Sequence, residues 1–282
     1  MIRSSSHSGV RLPAEINAPR GISRVPDGQE DRKMMEIRFI AHSCFLVRLP
    51  SADLLFDYFR GELPQPTPGR PMFVFVSHGH ADHFSKEIFS LAEKSSLVTF
   101  LLSDDIPWTE VPEEYERQTE FLGPDTEIAF PFPEGGELTV RTYLSTDEGI
   151  AFLADADGKR IYHAGDLNDW HWDDIDLPWN EAQKNGYMAS LSAIAQVVQE
   201  DGKVPDAAFV PVDSRLGEFF WMGLDGFMQK VGAEHIFPMH LFGDEKVIER
   251  MKAHPCAAAY ADRILGTGTE GEVFDITEGE TE

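Results

Sequence analysis

Three imidazoles and a carboxylate fall within six residues at His78-Gly79-His80-Ala81-Asp82-His83. Imidazole nitrogen and carboxylate oxygen both bind zinc, at about 2.0–2.2 Å, so the stretch has the chemistry of a metal site. More such donors recur downstream: Asp147 in Ser145-Thr146-Asp147-Glu148-Gly149, Asp166 in His163-Ala164-Gly165-Asp166, and His240 in Phe237-Pro238-Met239-His240. Each follows an apolar run and reads as projected from a strand end. Strand ends along one edge of a sandwich form a rim on which a metal can collect ligands from several elements.

Those elements are strand-rich from residue 36 onward. Ile37–Ile40, Cys44–Leu49 and Asp53–Phe56 read as a meander, and Phe73–Val76 as the buried strand before the histidines. Ser85–Glu93 reads as a helix with Ser85 as N-cap. Leu97–Leu101, Glu137–Tyr143, Ile150–Ala154 and Arg160–His163 follow as strands, the last two joined by a hairpin at Asp157-Gly158. Beyond them the pattern predicts helices over Tyr187–Glu200, Leu224–Val231 and Asp244–Ala253, with strands at Ala207–Val210 and His235–Pro238. A meander followed by a mixed half predicts two sheets packed face to face with helices outside. Residues 1–33 lack periodicity and are rich in Ser, Arg, Pro and Gly, so they read as a disordered or loosely docked extension. The metal-site donors all lie in residues 34–282, which read as the working domain.

The chain has 282 residues, 42% of them hydrophobic, enough for one large domain with an ample core or for two small ones. A net charge of −25 argues against a phosphate track for nucleic acid. A local anion pocket stays open, since bound cations supply their own charge. Cys44 and Cys256 are the only cysteines and neither lies in a CxxC, which excludes a disulfide framework and points to a reducing, cytoplasmic setting. There is no apolar run of about 18 residues to span a membrane. A homo-oligomer is compatible with the sequence, with the N-terminal arm packed on a partner subunit as one reading of that segment.

The order of these residues resembles the metallo-β-lactamase superfamily, whose motif is His-x-His-x-Asp-His, then a His, an Asp after Gly, and a final His. The match covers roughly residues 36–275. Ala41-His42-Ser43-Cys44-Phe45 with Leu54-Leu55-Phe56-Asp57 is similar to the branch containing the ascorbate-6-phosphate lactonase. The resemblance implies an α+β fold, the αβ/βα four-layer sandwich, and a two-metal site. It implies His78 and His80 on the first metal, Asp82, His83 and His240 on the second, and Asp166 as the bridge. It implies Zn²⁺, one or two ions. In similar proteins Asp57 supports the histidine motif from behind.

The chain departs from that pattern in one place. The segment that should supply the third His of the first metal is Ser145-Thr146-Asp147-Glu148-Gly149, and no His lies between His83 and His163. His163 is the nearby substitute, but the family often has a non-ligand His there, which makes it a supporting residue. Three readings follow for Asp147. It replaces the His as an oxygen ligand, making the first site friendlier to Mn²⁺ or Fe²⁺; or the first site is weak and the enzyme mononuclear; or Asp147 orients His78 or His80.

The expected activity is hydrolysis of a small anionic substrate, a lactone or phosphoester, by a metal-bound hydroxide. Asp82 is the candidate to orient the water and shuttle its proton. The alternatives are a phosphodiesterase of a nucleotide or lipid headgroup, and a non-catalytic metal-binding or sensing protein. His42, Trp170, His171, Asp213 and Arg215 are candidates to contact substrate. Arg215 would grip a carboxylate or phosphate, or else pair with Asp213. Trp170 and Trp172 would wall the pocket, or else pack a core.

Overall fold

The structure is a computed structural model that describes residues 35–276, so the extension expected over residues 1–33 lies outside the described residues. Two sheets face each other. The first runs in the order β13-β1-β2-β3-β4-β5-β6. It comprises β1 (Met35–Ala41), β2 (Cys44–Arg48), β3 (Asp53–Phe56), β4 (Met72–Val76), β5 (Val98–Ser103), β6 (Thr119–Leu122) and β13 (Val273–Ile276). The second runs β12-β11-β10-β9-β8-β7. It comprises β7 (Glu127–Pro131), β8 (Glu137–Leu144), β9 (Ile150–Ala156), β10 (Lys159–His163), β11 (Ala207–Pro211) and β12 (His235–Met239). Helices α1 (Leu177–Asp201) and α2 (Met222–Lys230) pack on the second sheet, and α3 (Lys246–Ala253) packs near the C-terminal turns.

Strand β4 shows how the layers form. Every residue of it is buried, because the sheet is covered on both faces. Phe73 and Phe75 point into the core between the sheets, with Phe45, Phe56, Phe209 and Phe237. Met72, Val74 and Val76 point to a second core under Phe89 and Phe100. That outer layer is built from 3₁₀ turns: the helix expected over Ser85–Glu93 is a 3₁₀ segment, Lys86–Leu91, capped by the Ser85 hydroxyl. The outer layer of the first sheet is therefore formed by short 3₁₀ segments.

Three strands escape the sequence pattern: β6, β7 and β13. All three are edge strands. Their outward residues stay exposed, so their hydrophobic signal is weak. Helix α1 begins ten residues before the expected Tyr187. Its start is set by Asp176, whose carboxylate accepts the Trp179 N–H, followed by Pro178 in the first turn. The β9–β10 hairpin turns at Asp157-Gly158 as expected, both with φ positive, at 53° and 74°.

Strand direction gathers the chemistry at one edge. β1, β3 and β4 run the same way, as do β10, β11 and β12, so their C-terminal ends share a rim. His42, Asp57 and His78 follow the first three, and Asp166, Asp213 and His240 the others. β9 runs opposite to β10, which brings Asp147, just before β9, to the same rim. The Ile150 N–H donates to the Ser77 carbonyl at 3.0 Å and ties the two sheets together there.

Two glycines permit this approach. A Cβ on Gly149, at φ 67°, would lie 1.9 Å from the Ser77 carbonyl oxygen, and one on Gly165, at φ 52°, would lie 2.6 Å from the Ser77 Cβ. Gly149→Ala is expected to destabilise the fold by about 2–4 kcal/mol through overpacking and a strained φ. Gly158→Ala, which meets open space, should cost about 1 kcal/mol. Denaturant midpoints of the two variants check this; equal losses would contradict it.

Candidate metal centre

The site is built outward from Asp57. This carboxylate is fully buried. Its Oδ1 accepts the Ser77 N–H at 2.7 Å, and its Oδ2 accepts the Ser77 hydroxyl at 2.7 Å. The same Oδ2 lies 2.7 Å from His83 Nδ1. Asp57 therefore fixes both ends of the loop that carries the histidines. Burial acts to raise its pKa, but His163 and His83 outweigh it and hold the carboxyl below its ordinary value.

From that base, His83 aims Nε2 at Asp166 Oδ1, 3.2 Å away, and His240 aims its Nε2 at the same oxygen from 3.3 Å. The other Asp166 oxygen, Oδ2, faces His78 Nε2 at 3.5 Å. Three overlapping donor groups result, one of them formed by His78, His83 and Asp166, all buried. His42, Asp82, His83 and His240 offer atoms within 4.8 Å of one another, and so do His80, Asp147 and Asp166. His78 stands between these last two groups, with Nε2 2.9 Å from His80 Nδ1. Asp166 presents one oxygen to each side.

The donor atoms lack ordinary partners. His83 Nε2, Asp166 Oδ1 and His42 Nε2 are buried without a hydrogen bond among the described residues. Leaving such atoms orphaned in a protein interior is costly, so their convergence fits a cation. Without one, protons take its place. Burial acts to lower the His83 pKa, but Asp166 and Asp57 push it up to about 10. His240 is raised in the same way, against burial, by Asp166 and Asp213. Asp166 is held well below its ordinary value; burial opposes this, and His240 and His83 outweigh it. Burial, then Asp166, raises Asp147. For Asp82, the contact from His42 Nε2, 3.4 Å from its Oδ2, lowers the pKa against burial.

Backbone strain concentrates here too. His42, Asp57 and His240 all have positive φ, at 53°, 45° and 62°. Non-glycine residues in that region cost about 1–3 kcal/mol each and persist where their surroundings over-determine them. The His240 N–H donates to the His42 carbonyl at 3.3 Å, so two of the three brace each other.

The other sequence candidates fall into place around this core. Trp170 is buried, donates its indole N–H to the Asp166 carbonyl at 2.9 Å, and sets its ring 5.4 Å from His240. His163 lies behind the site: Nε2 meets the Ser43 carbonyl at 2.9 Å, and Nδ1 accepts the Gly165 N–H at 3.1 Å. Asp213, expected to meet substrate, is fully buried and holds His240 Nδ1 through Oδ2 at 3.2 Å. It cannot reach a ligand, because its carboxylate is also gripped by Arg215. His171, also expected in the pocket, packs instead on Phe219 with ring centroids 4.1 Å apart. Arg215 does line the cleft, with its guanidinium 3.6 Å from the Phe242 ring centroid.

Several contributors are not apparent from the sequence. The Ser77 hydroxyl lies 2.9 Å from His78 Nδ1, and Glu148 reaches His80 Nε2 at 3.3 Å. Ser77 and Glu148 adjoin donor residues in the chain, which is the only signal they give. Trp179 and Phe242 join Trp172, which the sequence already suggests as a wall, around a cleft of about 290 Å³ over Asp147, Asp166 and His240. Trp179 arrives on the early turns of α1, which the hydrophobic pattern does not mark.

A domain-family profile described as "Beta-lactamase superfamily domain" matches residues 36–173. Solved structures share the fold, among them Igni18, a metallo hydrolase from Ignicoccus hospitalis: TM-score 0.55, 16% identity, 86% of this chain and 98% of that one. The chain thus has the metallo-β-lactamase fold. Among curated proteins, a UPF0173 metal-dependent hydrolase of Methanocorpusculum labreanum is 26% identical, over 73% of this chain and 83% of its own length. Another from Alkaliphilus metalliredigens is 25% identical over 47% of this chain, which spans 63% of that relative's length. The chain is thus similar over its first half to the β-lactamase superfamily profile, and over most of its length to curated metal-dependent hydrolases.

Asp57→Asn keeps the shape of the supporting group but removes its charge. It is expected to weaken metal binding about 10–100-fold, the usual effect of losing a partner behind a ligating His. Competition with a chromophoric chelator measures this, and unchanged affinity would contradict the role given to Asp57.

Proposed function

We propose that the protein hydrolyses a small anionic ester, a lactone or a phosphoester, at a centre of two zinc ions. The observation that carries this reading is Arg215 on the wall of the cleft over the donor groups. Asp213 holds its Nε and Nη2 at 2.5–3.0 Å, and Phe242 flanks its guanidinium. Its Nη1 has no hydrogen-bond partner among the described residues. A substrate carboxylate or phosphate can take that remaining donor.

His78, His80, Asp147 and one oxygen of Asp166 would hold the first ion, and Asp82, His83, His240 and the other Asp166 oxygen the second. An oxygen ligand from Asp147 hardens the first site and opens it to Mn²⁺ or Fe²⁺. When bound, such ions acidify a water and polarise the bond under attack. The chain's own groups do the rest. Arg215 orients the substrate by its anionic end. Trp170, Trp172 and Trp179 exclude bulk water and strengthen every electrostatic contact in the cleft. Asp82, exposed to the cleft, takes the proton of the attacking water and passes it to the leaving oxygen.

Turnover of a panel of lactones and phosphoesters with Zn²⁺ or Mn²⁺ tests the reading. Activity confined to members with an anionic group on the retained side supports it; preference for neutral esters overturns it. Asp82→Ala is expected to lower kcat on the active substrate by about 10²–10⁴-fold, the scale of general acid–base catalysis. Near-wild-type kcat would refute its proton-transfer role.

A further inference from the structure

A second cleft, about 250 Å³, opens on the other side of Asp82 and Phe242. Both residues line both clefts, so these two side chains form the partition between them. The second cleft has a different character. Phe39, Phe59 and Leu241 give it an apolar floor, and His42 sets its ring 5.9 Å from Phe59. Its charged lining is one cation against three carboxylates: Arg60 against Asp82, Glu245 and Glu270. The single cation is already spent, since Arg60 Nη2 pairs with Glu270 at 2.7 Å. An anion entering this cleft would meet net repulsion, whereas an uncharged ring would find aromatic and aliphatic surface.

We propose that the second cleft is the leaving-group subsite, and that it takes the uncharged, ring-sized alcohol of the ester. The inference rests on the hydrolytic reading above and narrows its substrate class. Bound across the partition, the substrate keeps its anionic acyl or phosphoryl part beside Arg215 and its alcohol beside Phe59. The reaction balances as simple hydrolysis. A bond forms between water oxygen and the carbonyl carbon or phosphorus, and the bond from that atom to the leaving oxygen breaks. One water proton ends on the leaving oxygen, which lies over Asp82 at the boundary of the two clefts. A cyclic ester whose alcohol stays tethered on the Arg215 side leaves the second cleft unused. The geometry therefore favours open esters with a separate apolar alcohol.

The test uses two probes of the released alcohol, benzyl alcohol and its anionic analogue 4-(hydroxymethyl)benzoate, bound to zinc-loaded protein and followed by saturation-transfer NMR. The neutral probe should bind at least about tenfold more tightly than the anionic one, as like-charge contact predicts. Phe59→Ala should weaken the neutral probe about fivefold or more through lost aromatic surface. Glu270→Gln, at an exposed position that leaves the fold intact, should improve binding of the anionic probe about threefold by freeing Arg60. Because Arg215 would itself grip the carboxylate of the anionic probe in the first cleft, the comparison is repeated in Arg215→Met, where the preference for the neutral probe should persist or grow. Equal affinity for the two probes, or indifference to both Phe59→Ala and Glu270→Gln, overturns the assignment. Probe binding as described with no turnover of any ester would leave the subsite standing and sink the hydrolytic reading instead.

Discussion

A single buried carboxylate, Asp57, sets the geometry on which the site depends. It has no access to solvent, yet it stays charged because its two oxygens accept the Ser77 N–H, the Ser77 hydroxyl and His83. A buried charge is tolerable only when it is satisfied in this way. The satisfaction is reciprocal. Ser77 is pinned, so His78 next to it is pinned through Nδ1. His83 is turned so that its free nitrogen faces Asp166. The histidine loop then has little freedom left, and it presents donor atoms already converged.

The same logic repeats on the second sheet. Asp213 is buried behind His240 as Asp57 is behind His83, and it also fixes Arg215. One carboxylate thus couples an imidazole of the donor cluster to an arginine on the cleft wall. Asp166 is the meeting point of the two sheets' contributions. The parallel orientation of β10, β11 and β12, and of β1, β3 and β4, puts all of these groups at strand C-terminal ends, where open sheets commonly bind ligands. Asp147 reaches them from an antiparallel neighbour, by a loop that Gly149 allows to touch Ser77.

Much of this is legible in the sequence, for physical reasons. Strands buried on both faces, such as Phe73–Val76, are continuous apolar runs and stand out. Local motifs do as well, because His78 to His83 lie on one loop. The edge strands β6, β7 and β13 do not stand out, since half their side chains face water. Long-range pairings escape for a different reason. Asp213 and Arg215 look like a substrate-facing pair in the sequence, but only the packing of β11 against β12 shows that Asp213 is buried against His240. His171 sits beside Trp170 in the chain, yet its ring packs on Phe219 while Trp170 sits against His240. The second cleft draws on residues from 39 to 270 and has no local signature at all.

The central claim is that Asp166 serves two ions, with Asp147 supplying the donor that a histidine would otherwise give. Native mass spectrometry of zinc-loaded protein tests it most directly. Two ions per chain are expected in the wild type and one in Asp147→Ala. A single ion in the wild type, or two retained in the variant, would contradict it.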